Sequence, residues 1–208
     1  FGMDNEPDCV KKYYEGCESI ADIAKKAASF EGVDFLCFRM EGGDPNGANK
    51  STEELIGALK EVAAAVDLPI VAAGCKNAEK DAELLSKAAE ALDGRNAMLL
   101  AAKEENYKTV GAAAGLAYKQ IVGAESAVDI NLAKQLNVLI GQLGVNSKSI
   151  VMNVGTAAAG YGFEYVVSTM DRIKAAALSQ NDANLQMPIV TPVASETWSV
   201  KEAMASEA

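Results

Sequence analysis

Apolar residues along the chain follow two alternating rhythms. Val33 to Met40, Leu68 to Ala73, Ala97 to Ala102, Ile121 to Ala124, Ile150 to Met152 and Pro188 to Val193 are short apolar runs bounded by polar or turn residues. Such runs predict strands, the most continuous of them buried on both faces. Between them apolar positions recur at helical spacing. They give a stripe of Ile20, Ile23, Ala24, Ala27 and Phe30, and helices from Ser51 to about Val66, Glu79 to Leu92, Tyr107 to Tyr118 and Asp129 to Leu143. Val166, Val167, Met170, Ile173, Ala177 and Leu178 repeat the pattern, and one more helix is expected from Glu196. Ser51 followed by Glu54 has the spacing of a capping box.

The outcome is about six βα units, the rhythm of a parallel sheet with crossover helices. No early Gly-x-Gly-x-x-Gly fingerprint supports a doubly wound dinucleotide-binding sheet. A (β/α)8 barrel has eight strands and typically ~250 residues, so 208 residues fall short of it. The expected fold class is therefore α/β, a TIM-type (β/α)8 barrel that is incomplete in this chain. Residues 1–31 read as an N-terminal arm and helix, and residues 32–208 as a single partial-barrel domain. An arc of strands leaves two open parallel edges. A truncated chain, or closure by another polypeptide, is expected.

Composition narrows the chemistry. A net charge of −10 argues against nucleic acid and against an anionic membrane surface. No apolar run approaches the roughly 20 residues of a membrane span, and no signal-peptide pattern opens the chain. Cys9, Cys17, Cys37 and Cys75 are scattered without a Cys-x-x-Cys pair, which fits a reducing cytoplasm and no zinc or iron–sulfur site. Cys37, inside a predicted strand, is expected to be a small core residue. The chain contains no histidine, which removes Ser-His and Cys-His nucleophile pairs and imidazole ligands to a metal. No metal site is expected of it, and whatever the chain does, no histidine of its own does it.

A barrel gathers the residues that follow its strands at one mouth. Here they are Asp44 and Asn46, Cys75 and Asn77, then Glu104, Glu105 and Asn106. Ser126, Asp129 and Asn131 follow, then Asn153 and Thr156, and last Thr191 and Ser195. The loop after Ile150–Met152 is built on Gly155, Gly160 and Gly162, which permit close backbone approach, with Thr156 and Tyr161 as its side-chain hydrogen bonders. Such a rim is rich in amides and hydroxyls and poor in bases. It suits hydrogen bonding to a large neutral or amide-decorated ligand. Asp44 and Asp129 also have the types and positions of turn and N-cap residues.

Several stretches, in order and at barrel spacing, carry a resemblance. They are Gly43-Asp-Pro-Asn-Gly-Ala-Asn49, Glu79-Lys-Asp81, Glu105-Asn-Tyr-Lys108, Asp129-Ile-Asn131 with Lys134-Gln-Leu-Asn137, Gly160-Tyr-Gly-Phe-Glu-Tyr165 and Met170-Asp-Arg-Ile173. Together they resemble the small, or delta, subunit of the corrinoid/iron–sulfur protein of acetyl-CoA synthase/CO dehydrogenase systems. The resemblance implies a TIM barrel paired with a large subunit that carries an iron–sulfur cluster and a cobalamin-binding domain. It implies a corrinoid shared between the barrel mouth and that partner. The implied cobalt takes a methyl group from methyltetrahydrofolate through a methyltransferase and delivers it to acetyl-CoA synthase, in the reductive acetyl-CoA pathway. On this footing the cofactor-binding candidates are Asp44, Asn46, Asp129, Asn131, Asn153, Gly155, Thr156, Gly160, Tyr161, Gly162 and Thr191. Two departures stand out: Asn153-Val154 where the family usually has Asp-Pro, and Ala127 where a proline is usual. The alternative function is a barrel enzyme, either a pterin-dependent methyltransferase relative or a Schiff-base aldolase using Lys76 or Lys103.

Overall fold

A computed structural model describes residues 8–197 and 199–204. The start of the expected N-terminal arm, residues 1–7, lies outside them. The chain opens with α1 (Asp8–Lys11) and α2 (Ile20–Ala28), then alternates strand and helix: β1 (Leu36–Arg39), α3 (Thr52–Ala65), β2 (Ile70–Ala73), α4 (Ala78–Ala91), β3 (Ala97–Ala102) and α5 (Tyr107–Val110). It continues with β4 (Ile121–Glu125), α6 (Ile130–Gln142), β5 (Ile150–Asn153), α7 (Phe163–Ser179), β6 (Ile189–Val190), α8 (Ala194–Thr197) and α9 (Lys201–Met204). All five strand pairings are parallel, in the order β1-β2-β3-β4-β5-β6. No reversal interrupts that order, so the sheet is singly wound rather than doubly wound. Among the described residues β1 and β6 each keep one unpaired edge.

The two faces of the sheet differ. Phe38, Met40, Ile70, Ala72, Leu99, Val122, Ala124 and Ile150 face the helices and form the main core with Leu55, Leu59, Leu84, Leu85, Leu136 and Ile140. Burying each such leucine or isoleucine contributes roughly 1.5–3 kcal/mol. Alternate strand positions face the other way. There Val71, Leu100 and Ala101 make a second small core, joined by Ala73, Met98 and Val190. Val190 is on β6, and the nearest strand of that cluster is β3. In a flat sheet those two strands would lie roughly 14 Å apart, three spacings of about 4.8 Å. The packing of Val190 against the cluster means the sheet curls, with these residues inside the curve. Gly123 permits this on β4, because a Cβ there would lie 2.5 Å from Leu100 Cδ1.

One device recurs at the opposite end of the strands. A helix leaves its last carbonyls without intrahelical partners, and here a side chain just before a later strand donates to them. Arg95, ahead of β3, donates to the carbonyls of Ala63 and Val66 at the end of α3, both at 2.6 Å. Gln120, ahead of β4, donates to those of Ala89 and Leu92 at the end of α4. Gln186, ahead of β6, donates to that of Ala177 in α7.

Three expectations need correction. Cys37 is not a core residue: it is exposed, on the concave side of the edge strand β1. Ser51 caps α3, accepting from Glu54 N–H at 3.2 Å, but the box is half made because the Glu54 carboxylate meets Lys50 instead. The complete box is Ser19 with Asp22, at the start of α2. The expected helix from Tyr107 to Tyr118 keeps α-geometry only to Val110 and continues as a π-helix over Gly111–Ala117. Gly115 brings that turn against Val145 and Val122, with a Cβ position only 2.6 Å from Val145 Cγ2.

Candidate functional site

The C-terminal ends of the strands surround a cleft of about 310 Å³. Its lining runs from Cys37 and Arg39 on β1, through Lys76, Lys103, Glu125, Asn153, Gly155 and Thr156, to Pro192, Ser195 and Glu196 after β6. The elements at both ends of the arc therefore meet in one concavity, as the inward packing of Val190 requires.

This mouth is ionic, not the base-poor rim expected from the sequence. Arg39, Lys76 and Lys103 line it together with Glu41, Asp81, Glu125 and Glu196. The charges pair off among themselves. Arg39 contacts Glu41. Lys76 lies between Glu41 at 3.6 Å and Glu196 at 3.5 Å. Lys103 meets Glu125 at 3.2 Å, and this pair is the better shielded of the three. Glu125 also accepts from Asn153 Nδ2 at 3.0 Å across the β4–β5 pairing, where the two residues are in register. Lys76 and Lys103 are the two lysines expected after strands, whereas Arg39 ends an apolar run and reads as its flank. Strand alternation turns it into the mouth.

Beneath these pairs, Asp81 reaches back from the first turn of α4. It is 2% exposed and accepts from Cys75 N–H at 2.6 Å, holding the β2–α4 loop. Burial and the neighbouring Asp81 carboxylate push the Cys75 thiol up to about 11.

Among the candidate residues, Asn153, Gly155 and Thr156 line the cleft. Asn153 is buried, and its Oδ1 accepts from Gly155 N–H at 3.0 Å. Thr191 sits beside them, donating from Oγ1 to the Gly155 carbonyl at 2.7 Å. Gly155 needs its freedom, with φ of 83° and a Cβ position 3.3 Å from Ala127 Cα. Thr156 Oγ1 is buried with no hydrogen-bond partner among the described residues, as is Ser126 Oγ.

The other candidates sit outside the cleft lining. Asp44 Oδ1 accepts from the backbone and side-chain N–H groups of Asn46, closing a turn after β1. Asp129 is the N-cap of α6, accepting from Asn131 N–H at 2.8 Å and Leu132 N–H at 3.1 Å. Asn131 is exposed in the first turn of that helix. Gly160 and Gly162 have φ of 79° and 101°, and Tyr161 between them is 55% exposed and donates to Glu202 at 2.8 Å. That hydrogen bond holds the Tyr161 phenol above its usual range. Asn77 and Asn106, also expected at the rim, are used locally. Asn77 caps α4, and Asn106 bonds the backbones of Lys103 and Ala78.

The sequence pattern of the family described as CO dehydrogenase/acetyl-CoA synthase delta subunit matches residues 3–206. The chain belongs to that family. The delta subunit of the acetyl-CoA decarbonylase/synthase complex of Methanothermobacter thermautotrophicus is 34% identical over 202 residues, 96% of this chain and 51% of that protein. The corresponding subunit of Methanopyrus kandleri is 34% identical over 186 residues, 89% of this chain and 46% of the relative. That of Archaeoglobus fulgidus is 33% identical over 196 residues, 93% and 43% respectively. The chain thus spans about half the length of the curated relatives it matches. The family is the one its motifs resemble. For the aldolase alternative the geometry is unhelpful, since Lys76 and Lys103 each lie against carboxylates. A Schiff-base lysine must present a free amine.

Proposed function

We propose that this chain is the part of a delta subunit that presents one wall of a corrinoid site to a larger iron–sulfur subunit. It thereby serves the passage of a methyl group from a methyltetrahydrofolate-dependent methyltransferase to acetyl-CoA synthase, in the cytoplasm. The observation that carries the reading is the family match across residues 3–206. The mouth supports it chemically. Its cations are matched by carboxylates, while the hydroxyls of Thr156 and Ser126 are buried and unpartnered among the described residues. A ligand edged with neutral amides, which both donate and accept, suits that mixture. Size supports sharing, because a cleft of about 310 Å³ accommodates a small ligand, and a corrin macrocycle is much larger. This chain therefore offers a surface, and the partner closes the site.

A bound corrinoid supplies a cobalt centre able to accept and release a methyl group. This chain's residues do the rest by contact. Thr156, Asn153 and Thr191 would hold it through hydrogen bonds, and Gly155 would let backbone come close. Asp44, Asn46, Asp129, Asn131, Gly160, Tyr161 and Gly162 shape the surrounding rim. With no histidine in this sequence, no imidazole from it reaches the metal. The iron–sulfur cluster of this reading belongs to the partner subunit.

The test is electron paramagnetic resonance of the Co(II) form in the assembled complex. The expected spectrum lacks nitrogen superhyperfine coupling from a protein ligand. A resolved coupling of that kind would overturn the site chemistry. Failure of the complex to retain a corrinoid would overturn the reading itself.

A further inference from the structure

The segment after β6 does more than leave the sheet. It turns back over the strand ends and is tied at three places. At its root, Thr191 donates to the Gly155 carbonyl at 2.7 Å. In α8, Glu196 lies 3.5 Å from Lys76, which follows β2. In α9, Glu202 accepts from Tyr161, which follows β5, at 2.8 Å. Pro192, Ser195 and Glu196 meanwhile form one wall of the cleft. The two outer ties grip loops three strands apart, on opposite sides of the mouth.

We propose that residues 191–197 and 199–204 belong to a strap closed across the mouth, and that occupancy of the mouth by a large ligand requires Glu196 and Glu202 to let go. The identity of that ligand rests on the corrinoid reading above; the strap does not. Three features point to an opening segment rather than a fixed one. Its helices are four residues each, too short to be stable by themselves. Both outer ties are exposed and single, the kind of contact that contributes least. Lys76 also has a second carboxylate, Glu41 at 3.6 Å, so it keeps a counter-charge when Glu196 leaves. Lys76 adopts φ of 72°, a conformation rare for a residue with a side chain.

Hydrogen exchange followed by mass spectrometry on the full-length chain tests this. Glu196→Ala and Glu202→Ala remove the ties from the strap side and leave Lys76 and Tyr161 intact. Alanine is the best helix former, so helix propensity is not lost. Each single variant should exchange the 191–204 peptide about two- to five-fold faster, and the double variant faster still, with the β3 and β4 peptides unchanged. Unchanged exchange in the double variant overturns the strap, and so does acceleration that spreads equally to β3 and β4. Cobalamin added to the wild-type complex with its partner subunit should accelerate the same peptide. A strap that loosens in the variants while cobalamin leaves it untouched supports the strap and removes the corrinoid as its occupant.

Discussion

Gly74, at the end of β2, is where the fold and the mouth depend on the same atoms. A methyl group there would lie 2.4 Å from Asp81 Cγ and Oδ1 and 2.6 Å from Oδ2. Asp81 is 2% exposed, so its carboxylate has little room to move aside. Gly74→Ala should therefore expel it from its bond to Cys75 N–H, losing a hydrogen bond to a charged group worth about 1.5–3 kcal/mol. Local overpacking adds about 1–3 kcal/mol. Backbone strain does not enter, because Gly74 has no positive φ. The sum is about 2.5–6 kcal/mol, a drop in Tm of roughly 5–24 °C for a chain of this size.

Asp81→Ala alone should cost about 1–3 kcal/mol, the penalty of leaving the Cys75 N–H unsatisfied. It also clears the space the new methyl needs. The double variant should then be little worse than Asp81→Ala, with a coupling energy of about 2 kcal/mol or more. Urea denaturation of the four proteins measures it. Costs that add to within about 0.5 kcal/mol would show that Gly74 and Asp81 do not compete for one volume, and the reasoning fails.

Other expectations can be checked as directly. Thr156→Ala should leave Tm unchanged, because the hydroxyl has no partner among the described residues, while ligand affinity in the assembled complex falls by roughly 2- to 10-fold, one hydrogen bond of about 0.5–1.5 kcal/mol; a loss of Tm with unchanged affinity would assign Thr156 to the loop. Cys75, buried and with its thiol pushed up to about 11, should resist iodoacetamide at pH 8 in the native state and react only on unfolding, whereas Cys37, whose thiol desolvation also raises but which is exposed on the concave face, is modified slowly in native protein; peptide mapping separates them. Asp182 is held below the usual carboxylate range, first by the hydrogen bond from Lys134 at 2.6 Å. Its contribution is therefore complete above the ordinary carboxylate value and lost as pH falls through the lowered one. Lys134→Gln should reduce the fall in Tm between pH 6 and pH 3, and an unchanged fall would refute that assignment.

Much of the fold was legible because a parallel sheet leaves a strong trace. The runs at Ala97 to Ala102 and Ile150 to Met152 are apolar on both faces, and each has become a strand within a residue or so. What failed was anything decided by contacts between units. The half-made box at Ser51 depends on Lys50 competing for Glu54. Nothing in local spacing shows that Arg95 and Gln120 will seal the ends of helices about 30 residues earlier. Cys37 was read as core because its neighbours are apolar, but an edge strand has one neighbour fewer, and its concave side opens to the cleft.

The same physics decided the mouth. Position after a strand correctly gathered Asn153, Gly155 and Thr156 around one cleft. It could not tell which polar side chains would be spent on their own loops. Asn77, Asn106, Asp44 and Asp129 all bond to nearby backbone or side-chain groups, because short polar side chains near a chain reversal find local partners first. Longer side chains reach across. That is why the cleft is lined by Arg39, Lys76 and Lys103 with Glu41, Glu125 and Glu196, and why composition misjudged it as poor in bases.

The pairing of those charges bears on what the mouth can recognise. A site meant for a phosphate or carboxylate keeps a cation unneutralised or aims several backbone N–H groups at one point. Here each lysine and arginine of the cleft already faces a carboxylate, so an incoming anion would have to displace one. An incoming cation would meet the mirror-image obstacle. A neutral, amide-edged surface meets neither, and it finds the unsatisfied Thr156 hydroxyl beside the Asn153 amide. The ionic pairs then act as a rigid frame around a small neutral patch. Lys76, shared between Glu41 on the frame and Glu196 on the strap, is the one cation of that frame whose pairing can change without being lost.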